Sequence, residues 1–271
     1  FRNDSLIAAI GKAEHGGSFD FPDWCAPLFD LYDALFSATS GAIDPCVGED
    51  LIRLGYDASL SFTVTQDAPE HLGALRGRAV WGRDVTRHGT TLVTHEPVQL
   101  DFGACGKGYL VDLLGRMLQS SQFVIDAGGD LLIHAEQPIS VALEDPEDQS
   151  HAIGIAHIAN GALCASAPSR RHWNVAVNER TQIAIHHLLN AIDGLPAQQT
   201  EASWAYVPAN ATLNLARDYP TAVADGLATA LFVSDVAQLQ RTFDFTYATL
   251  DESRQIAVSR NFPAELFLRS A

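Results

Sequence analysis

The segment Leu100-Asp101-Phe102-Gly103-Ala104-Cys105-Gly106-Lys107-Gly108-Tyr109-Leu110-Val111-Asp112 constrains this chain more than any other. An apolar run closes on a carboxylate at Asp101, and glycines follow around a single lysine. Then Tyr109, Leu110, Leu113, Leu114, Met117 and Leu118 recur at helical spacing. The expectation is a strand that passes through a glycine turn into a helix from about Gly108 to Gln119. Such a turn presents backbone N–H groups at the positive end of the helix dipole, which suits an anionic group such as phosphate. Lys107 adds a mobile cation at the same point. The same residues also serve as a plain strand-to-helix connection packed tightly by glycine. A Walker A loop is excluded, because Asp101 stands at its first glycine position and Gly108 at its hydroxyl position. The glycine spacing of a dinucleotide-binding Rossmann turn is absent too.

A formal charge of −16 argues against a nucleic-acid or anionic-membrane surface, whose affinity depends on Lys and Arg. An anionic ligand would therefore need local cations, among them a metal, inside a repulsive field. The four cysteines, Cys25, Cys46, Cys105 and Cys164, form no CxxC pair, which argues against structural zinc and favours buried thiols over disulfides. No apolar run reaches the roughly 18 residues of a membrane span.

A second carboxylate is presented at Ser40-Gly41-Ala42-Ile43-Asp44-Pro45, after a helix carried by Trp24, Leu28, Leu31, Tyr32, Leu35 and Phe36. Asp before Pro is extended or turn-like, so Asp44 projects from non-helical backbone, either as a surface turn or as part of a site. Residues 49 to 56 read as helical, with a short helix around Glu70 to Leu75. Strands are expected over Val80 to Val85, Thr90 to Val93 and Val98 to Phe102, while Gly16-Gly17-Ser18 reads as a loop. Further strands are expected at Phe123 to Ile125, Leu131 to His134, Ile139 to Leu143, Ile153 to Ile158, Trp173 to Val177, Thr181 to His187, Ser203 to Pro208, Tyr247 to Leu250 and Gln255 to Ser259. Between the first two of these, Asp126-Ala127-Gly128-Gly129-Asp130 reads as a tight turn. Late in the chain Thr221 can cap a helix in which Asp225 and Thr229, four apart, share one face among small and apolar neighbours. A carboxylate on so apolar a helix needs a partner or a cation; an Asp–Thr hydrogen bond is the plainer alternative.

Four of these segments, in order, resemble one family. Ser40 to Pro45 resembles its TGGAFDP, Asp101 to Tyr109 its DLGGIAKGY, Asp126 to Asp130 its NAGGD, and Ala224 to Leu231 its ADALATAL. The chain, from near residue 4 to about residue 260, is thus similar to FAD:protein FMN transferases of the ApbE type. The resemblance implies an α+β fold of largely antiparallel sheets with packed helices, one domain spanning 1–271, and two lobes around a flavin cleft. It implies a transferase that cleaves FAD with Mg²⁺ and moves FMN to a Thr or Ser hydroxyl of an acceptor flavoprotein subunit, releasing AMP. Carried over, Asp101, Lys107, Ala42, Ile43 and Asp44 contact FAD. The metal takes the Ala104 carbonyl, the Asp225 carboxylate and the Thr229 hydroxyl, oxygen ligands that suit a hard cation. Ile185-His186-His187-Leu188-Leu189 resembles the family's YHHII. This makes His187 the candidate general base beside Asp225 in catalysis, with Leu188 and Leu189 near the ring or adenine. Ser166 is what remains of the family's STSGD, here Cys164-Ala165-Ser166-Ala167-Pro168, and the usual DPRTG reads Asn190-Ala191-Ile192-Asp193-Gly194.

The diphosphate side is thus kept better than the adenine and acceptor side. A hydrolase that splits FAD to FMN and AMP, or a flavin-binding protein without catalysis, are the alternatives. By resemblance the protein works in the periplasm or on the outer face of the cytoplasmic membrane, touching the membrane only through an anchor outside this stretch.

Overall fold

A computed structural model describes residues 4–178 and 181–267. Its helices are α1 (Leu6–Lys12), α2 (Ala26–Ala38), α3 (Gly48–Arg53), α4 (Ala68–His71), α5 (Gly103–Met117), α6 (Asn214–Asp218), α7 (Pro220–Ala230) and α8 (Val236–Leu239). Its strands are β1 (Gly17–Asp20), β2 (Val85–His88), β3 (Thr91–Thr94), β4 (Phe123–Asp126), β5 (Asp130–Glu144), β6 (Ala152–Ser166), β7 (His172–Asn178), β8 (Thr181–His186), β9 (Leu189–Asn190), β10 (Leu195–Pro196), β11 (Thr200–Pro208), β12 (Thr246–Asp251), β13 (Ile256–Val258) and β14 (Ala264–Leu266). The class is α+β with antiparallel sheets, as the sequence led us to expect. The chain divides into two compact units, Phe1–Phe102 with Arg171–Ala197, and Gly103–Arg170 with Gln198–Ala271.

In the first unit α2 buries Leu28, Phe29, Leu31, Tyr32 and Leu35, the spacing that made it legible. It stops at Ser40 and Gly41, both with positive φ, where glycine costs least. A three-stranded sheet, ordered β1-β3-β2, lies in the same unit. The strand expected over Val80 to Val85 begins only at Val85, and the loop at Gly17 is strand β1, paired with β3 from Gly17↔Thr94 to Asp20↔Thr91. No strand forms over Val98 to Phe102. Val98 and Leu100 enter the core instead, and Phe102 packs on Phe29, Tyr32 and Trp81. The Asp101 N–H bonds the Pro45 carbonyl at 2.7 Å. A second cluster gathers Leu51, Leu54, Leu72, Trp173, Ile185 and Leu189 around the β7–β8 hairpin.

The second unit is built on a seven-stranded sheet ordered β13-β12-β11-β6-β5-β4, with β14 also on β6. Ile133, Leu143, Ile153, Ile158, Leu163, Trp204 and Leu250 fill its core. The two strands expected at Leu131 to His134 and Ile139 to Leu143 are one, β5, carried through a register irregularity between His134 and Ile139. Helices α5 and α7 pack on each other and against this sheet. Gly108 permits their approach: a Cβ there would lie 2.3 Å from the Thr221 carbonyl oxygen. All four cysteines are buried thiols outside any disulfide.

Candidate functional site

In the second unit, α5 begins at Gly103, five residues before the sequence suggested. The glycine-rich segment is therefore its first turns rather than a loop before it. Gly108 N–H, which faces the Ala104 carbonyl in a regular helix, donates to Asp225 Oδ2 at 3.0 Å. A carbonyl accepts along two lone pairs, so Ala104 keeps capacity for another partner. Asp225 is buried in α7, and its other oxygen, Oδ1, lies 3.7 Å from Lys107 Nζ. Lys107 also contacts Asp130 Oδ2 at the start of β5. Thr229, half-buried, follows Asp225 by one turn on the same helix. Among the described residues Asp225 is held by the Gly108 N–H rather than by the Asp–Thr hydrogen bond considered from sequence.

Asp130 is the residue sequence reasoning passed over, although it closes the Asp126 to Asp130 motif. It is fully buried, and its Oδ1 has no hydrogen-bond partner among the described residues. The turn before it is set by Asp126 Oδ1, which accepts from Gly128 N (2.8 Å) and Gly129 N (3.3 Å), with both glycines at positive φ. Opposite Asp130 in the ladder stands Cys164. Two residues on, half-buried Ser166 ends β6, next to Ala165, whose N–H bonds the Gly129 carbonyl. Ser166 therefore lies at the same end of the sheet as the acidic pair.

Electrostatics at this point run against the acids. Burial, reinforced by the Asp130 charge, raises Asp225 above the ordinary carboxylate range despite Lys107 and the Gly108 N–H. Burial likewise raises Asp130. Burial opposes the Lys107 charge, yet Asp225 and Asp130 outweigh it and raise the ammonium. Two buried carboxylates thus share one lysine. With both acids ionised their site is one positive charge short of neutrality, and Asp130 Oδ1 is buried without a hydrogen-bond partner among the described residues. No three His, Cys, Asp or Glu side chains cluster around a metal position among the described residues. The carboxylate–carbonyl–hydroxyl set of Asp225, Ala104 and Thr229 remains chemically apt for a hard cation that keeps water or phosphate in its other positions. By that measure the residues fit Mg²⁺.

In the first unit the structure brings the Ala42 to Asp44 segment beside the segment after His187, while Asp101 joins it through its N–H bond to the Pro45 carbonyl. Ala191 N–H bonds the Ala42 carbonyl at 3.0 Å, and Ile43 N–H bonds the Thr39 hydroxyl. Asp44 is buried, so it is no surface turn. Its Oδ1 caps Cys46 N–H at 2.8 Å, and its Oδ2 lies 3.4 Å from the buried Arg78 guanidinium. Arg78 also pairs with Asp50 (2.8 Å) and donates to the Ala191 carbonyl (2.6 Å). The Asp44 carboxylate is thus engaged inside the fold, and Arg78 tethers the segment that replaces the family's DPRTG.

Of the two adjacent histidines, His186 is buried and spoken for on both nitrogens. Nε2 donates to the Ala197 carbonyl (2.7 Å) and Nδ1 accepts from Leu188 N–H (3.2 Å), an assignment that fixes the neutral tautomer. Burial lowers its pKa further. His187 is half-buried, and its Nδ1 donates to the Arg171 carbonyl at 3.3 Å, which leaves Nε2 as the nitrogen bearing the lone pair. Leu188 and Leu189 are both buried, Leu189 in the cluster around Trp173.

The ApbE family model matches residues 1–249. Among curated proteins, none matches this sequence significantly. Among solved structures, the chain is similar to an ApbE protein from Thermotoga maritima, with a TM-score of 0.78 at 20% identity, over 98% of this chain and 85% of that one. It is also similar to the flavin transferase ApbE from Vibrio cholerae, with a TM-score of 0.72 at 17% identity, over 97% and 83%. The flavinyl transferase ApbE of Pseudomonas stutzeri gives 0.69 at 19% identity, over 96% and 80%. At these identities the likeness is one of fold.

Proposed function

Since the chain belongs to the ApbE family, we propose that it is a transferase that moves FMN from FAD to a Thr or Ser hydroxyl of an acceptor flavoprotein subunit. The acceptor oxygen bonds the FMN phosphorus, the bond from that phosphorus to the bridging oxygen breaks, and AMP leaves with its electron pair. The observation that carries this reading is the meeting of α5 and α7: Gly108 and Asp225, 117 residues apart, are hydrogen-bonded, with Lys107 alongside.

Asp225, the Ala104 carbonyl and Thr229 would hold Mg²⁺. Bound there, the ion supplies neutralisation of the diphosphate and of the charge that grows on AMP, the main requirement of phosphoryl transfer. Lys107, half-exposed at the mouth of the acidic pair, brings a second positive charge to the phosphates. His187 Nε2 takes the proton of the acceptor hydroxyl, while Nδ1–H, held by Arg171, keeps the ring in the tautomer that can do so. Asp101, through its bond to Pro45, joins the backbone of the Ala42 to Asp44 segment as a flavin-nucleotide contact, the Asp44 carboxylate itself being held by Arg78. On the same family resemblance, we assign its place to the periplasm or the outer face of the cytoplasmic membrane.

Incubation with FAD, Mg²⁺ and a protein acceptor tests this. FMN fixed to the acceptor, with one AMP released per FMN fixed, is the expected result, and Asp225→Ala abolishes it. Free FMN plus AMP would make water the acceptor and the protein a pyrophosphatase. Intact FAD after prolonged incubation would leave only a binding protein.

A further inference from the structure

Two buried carboxylates and one ammonium cannot all be satisfied pairwise. Asp225 Oδ2 is taken by Gly108 N–H, so Oδ1 is the oxygen left to face a cation. The nearest positive charge to it is Lys107, 3.7 Å away. That lysine is drawn closer to Asp130 Oδ2, which is completely buried, while the lysine side chain itself is 49% exposed. A flexible four-carbon stem with so much exposure can reach either acid. Were Asp130 neutral, the ammonium would have one strong partner remaining in this site, and that partner is the oxygen a divalent ion needs.

Resting on the metal reading above, we propose that Asp130 is a positioning residue: it serves as the dedicated counter-ion of Lys107 and keeps the ammonium off Asp225, so that a divalent cation can take Asp225 Oδ1. The two acids then divide two cations between them, one each. Asp130 need not touch the metal or the substrate to act in this way. Its buried setting fits the role, because a carboxylate with no water around it holds an ammonium far more firmly than an exposed one. It also explains why an acid ends the Gly128-Gly129 turn, where the first residue of β5 must point toward α5.

The test is a double-mutant cycle read by Mn²⁺ binding to the intact protein, with and without FAD, followed by the paramagnetic signal of the free ion. Asp130→Asn weakens Mn²⁺ binding by about tenfold when Lys107 is present, since the freed ammonium competes for Asp225. In the Lys107→Met background the same substitution changes affinity by less than about twofold, because there is no ammonium left to hold away. Equal weakening in both backgrounds would overturn the proposal, making Asp130 a ligand or a distant field. No weakening beside Lys107 would overturn it as well. Failure of the wild type to bind Mn²⁺ under either condition would instead sink the metal reading on which this rests.

A second measurement needs no buried substitution. Labelling of Lys107 by an amine-specific reagent in the wild type stays unchanged on saturation with Mn²⁺, as an anchored lysine requires. A several-fold rise in labelling would mean that the metal displaces the lysine, and Asp130 would lose its assigned role.

Discussion

His186 and His187 are adjacent, and at a strand end adjacent side chains leave the backbone on opposite sides. Backbone partners separate their tasks. Removing His186 orphans the Ala197 carbonyl and the Leu188 N–H, at roughly 1–3 kcal/mol for each group left buried and unpaired. His186→Ala therefore lowers the melting temperature without a specific loss of turnover in the protein that remains folded. His187→Ala does the reverse: thermal unfolding is little changed, and FMN transfer at saturating FAD falls by about 10²–10⁴-fold with FAD affinity retained. Loss of FAD binding instead would make His187 a ligand. The sequence brought the pair to notice but could not by itself orient them, because their orientation is set by the Ala197 and Arg171 carbonyls, 11 and 16 residues away. Asp44 teaches the same point. Its Asp-Pro context was legible, yet the Arg78 guanidinium that consumes its carboxylate lies 34 residues on.

At the scale of elements, α7 is the part whose start was misread. Thr221 lies inside the helix, which follows Tyr219 with no local side-chain cap. The cap comes from α5: Asp112 accepts from Thr221 N–H (3.0 Å) and Ala222 N–H (2.8 Å). A cap supplied from 109 residues away leaves no local signature of the kind sequence patterns detect. Asp112→Ala leaves both N–H groups buried without an acceptor and costs roughly 2–4 kcal/mol in urea unfolding. Burial also pushes the Asp112 carboxyl up to about 6. A carboxyl raised in the folded state contributes stability while it is protonated. That contribution is complete below the unfolded value near 4 and is lost as pH rises toward about 6. The difference between wild type and Asp112→Ala thus shrinks across that window, measured by unfolding at pH 4 and pH 7; a difference that grows with pH would reject this account. Other misreadings have equally local causes. Glu136-Gln137-Pro138 broke the apolar pattern of β5, where the strand absorbs them at an irregularity. In β1, Gly17 and Ser18 hid a strand that its neighbour β3 defines. The amphipathic α2 and most of the second unit's strands were legible because their burial follows their own period.

Over the whole chain, 33 acidic residues face 17 lysines and arginines, so the folded state carries a repulsion that the expanded chain relieves. Monovalent salt screens it: the Debye length falls from about 30 Å at 0.01 M to about 8 Å at 0.15 M. The melting temperature should accordingly climb with NaCl and then level off. Magnesium acts by screening too, but the proposed set of Asp225, the Ala104 carbonyl and Thr229 adds a site where it would bind only the folded protein. Binding at about 100 times the dissociation constant adds roughly 2.7 kcal/mol, and in a chain of this size each kcal/mol moves the midpoint by about 2–4 °C. At ionic strength held constant with NaCl, saturating Mg²⁺ therefore raises the wild-type midpoint by roughly 5–10 °C. In Asp225→Asn, the variant's own midpoint is expected to lie above that of the metal-free wild type, because one of two like charges is gone from a buried pair. Its further rise on adding Mg²⁺ should vanish, leaving only what screening gives. An equal Mg²⁺ increment in both proteins would show the ion acting on the general surface charge, and the composition-level inference that this acidic chain needs a local cation for an anionic ligand would lose its site.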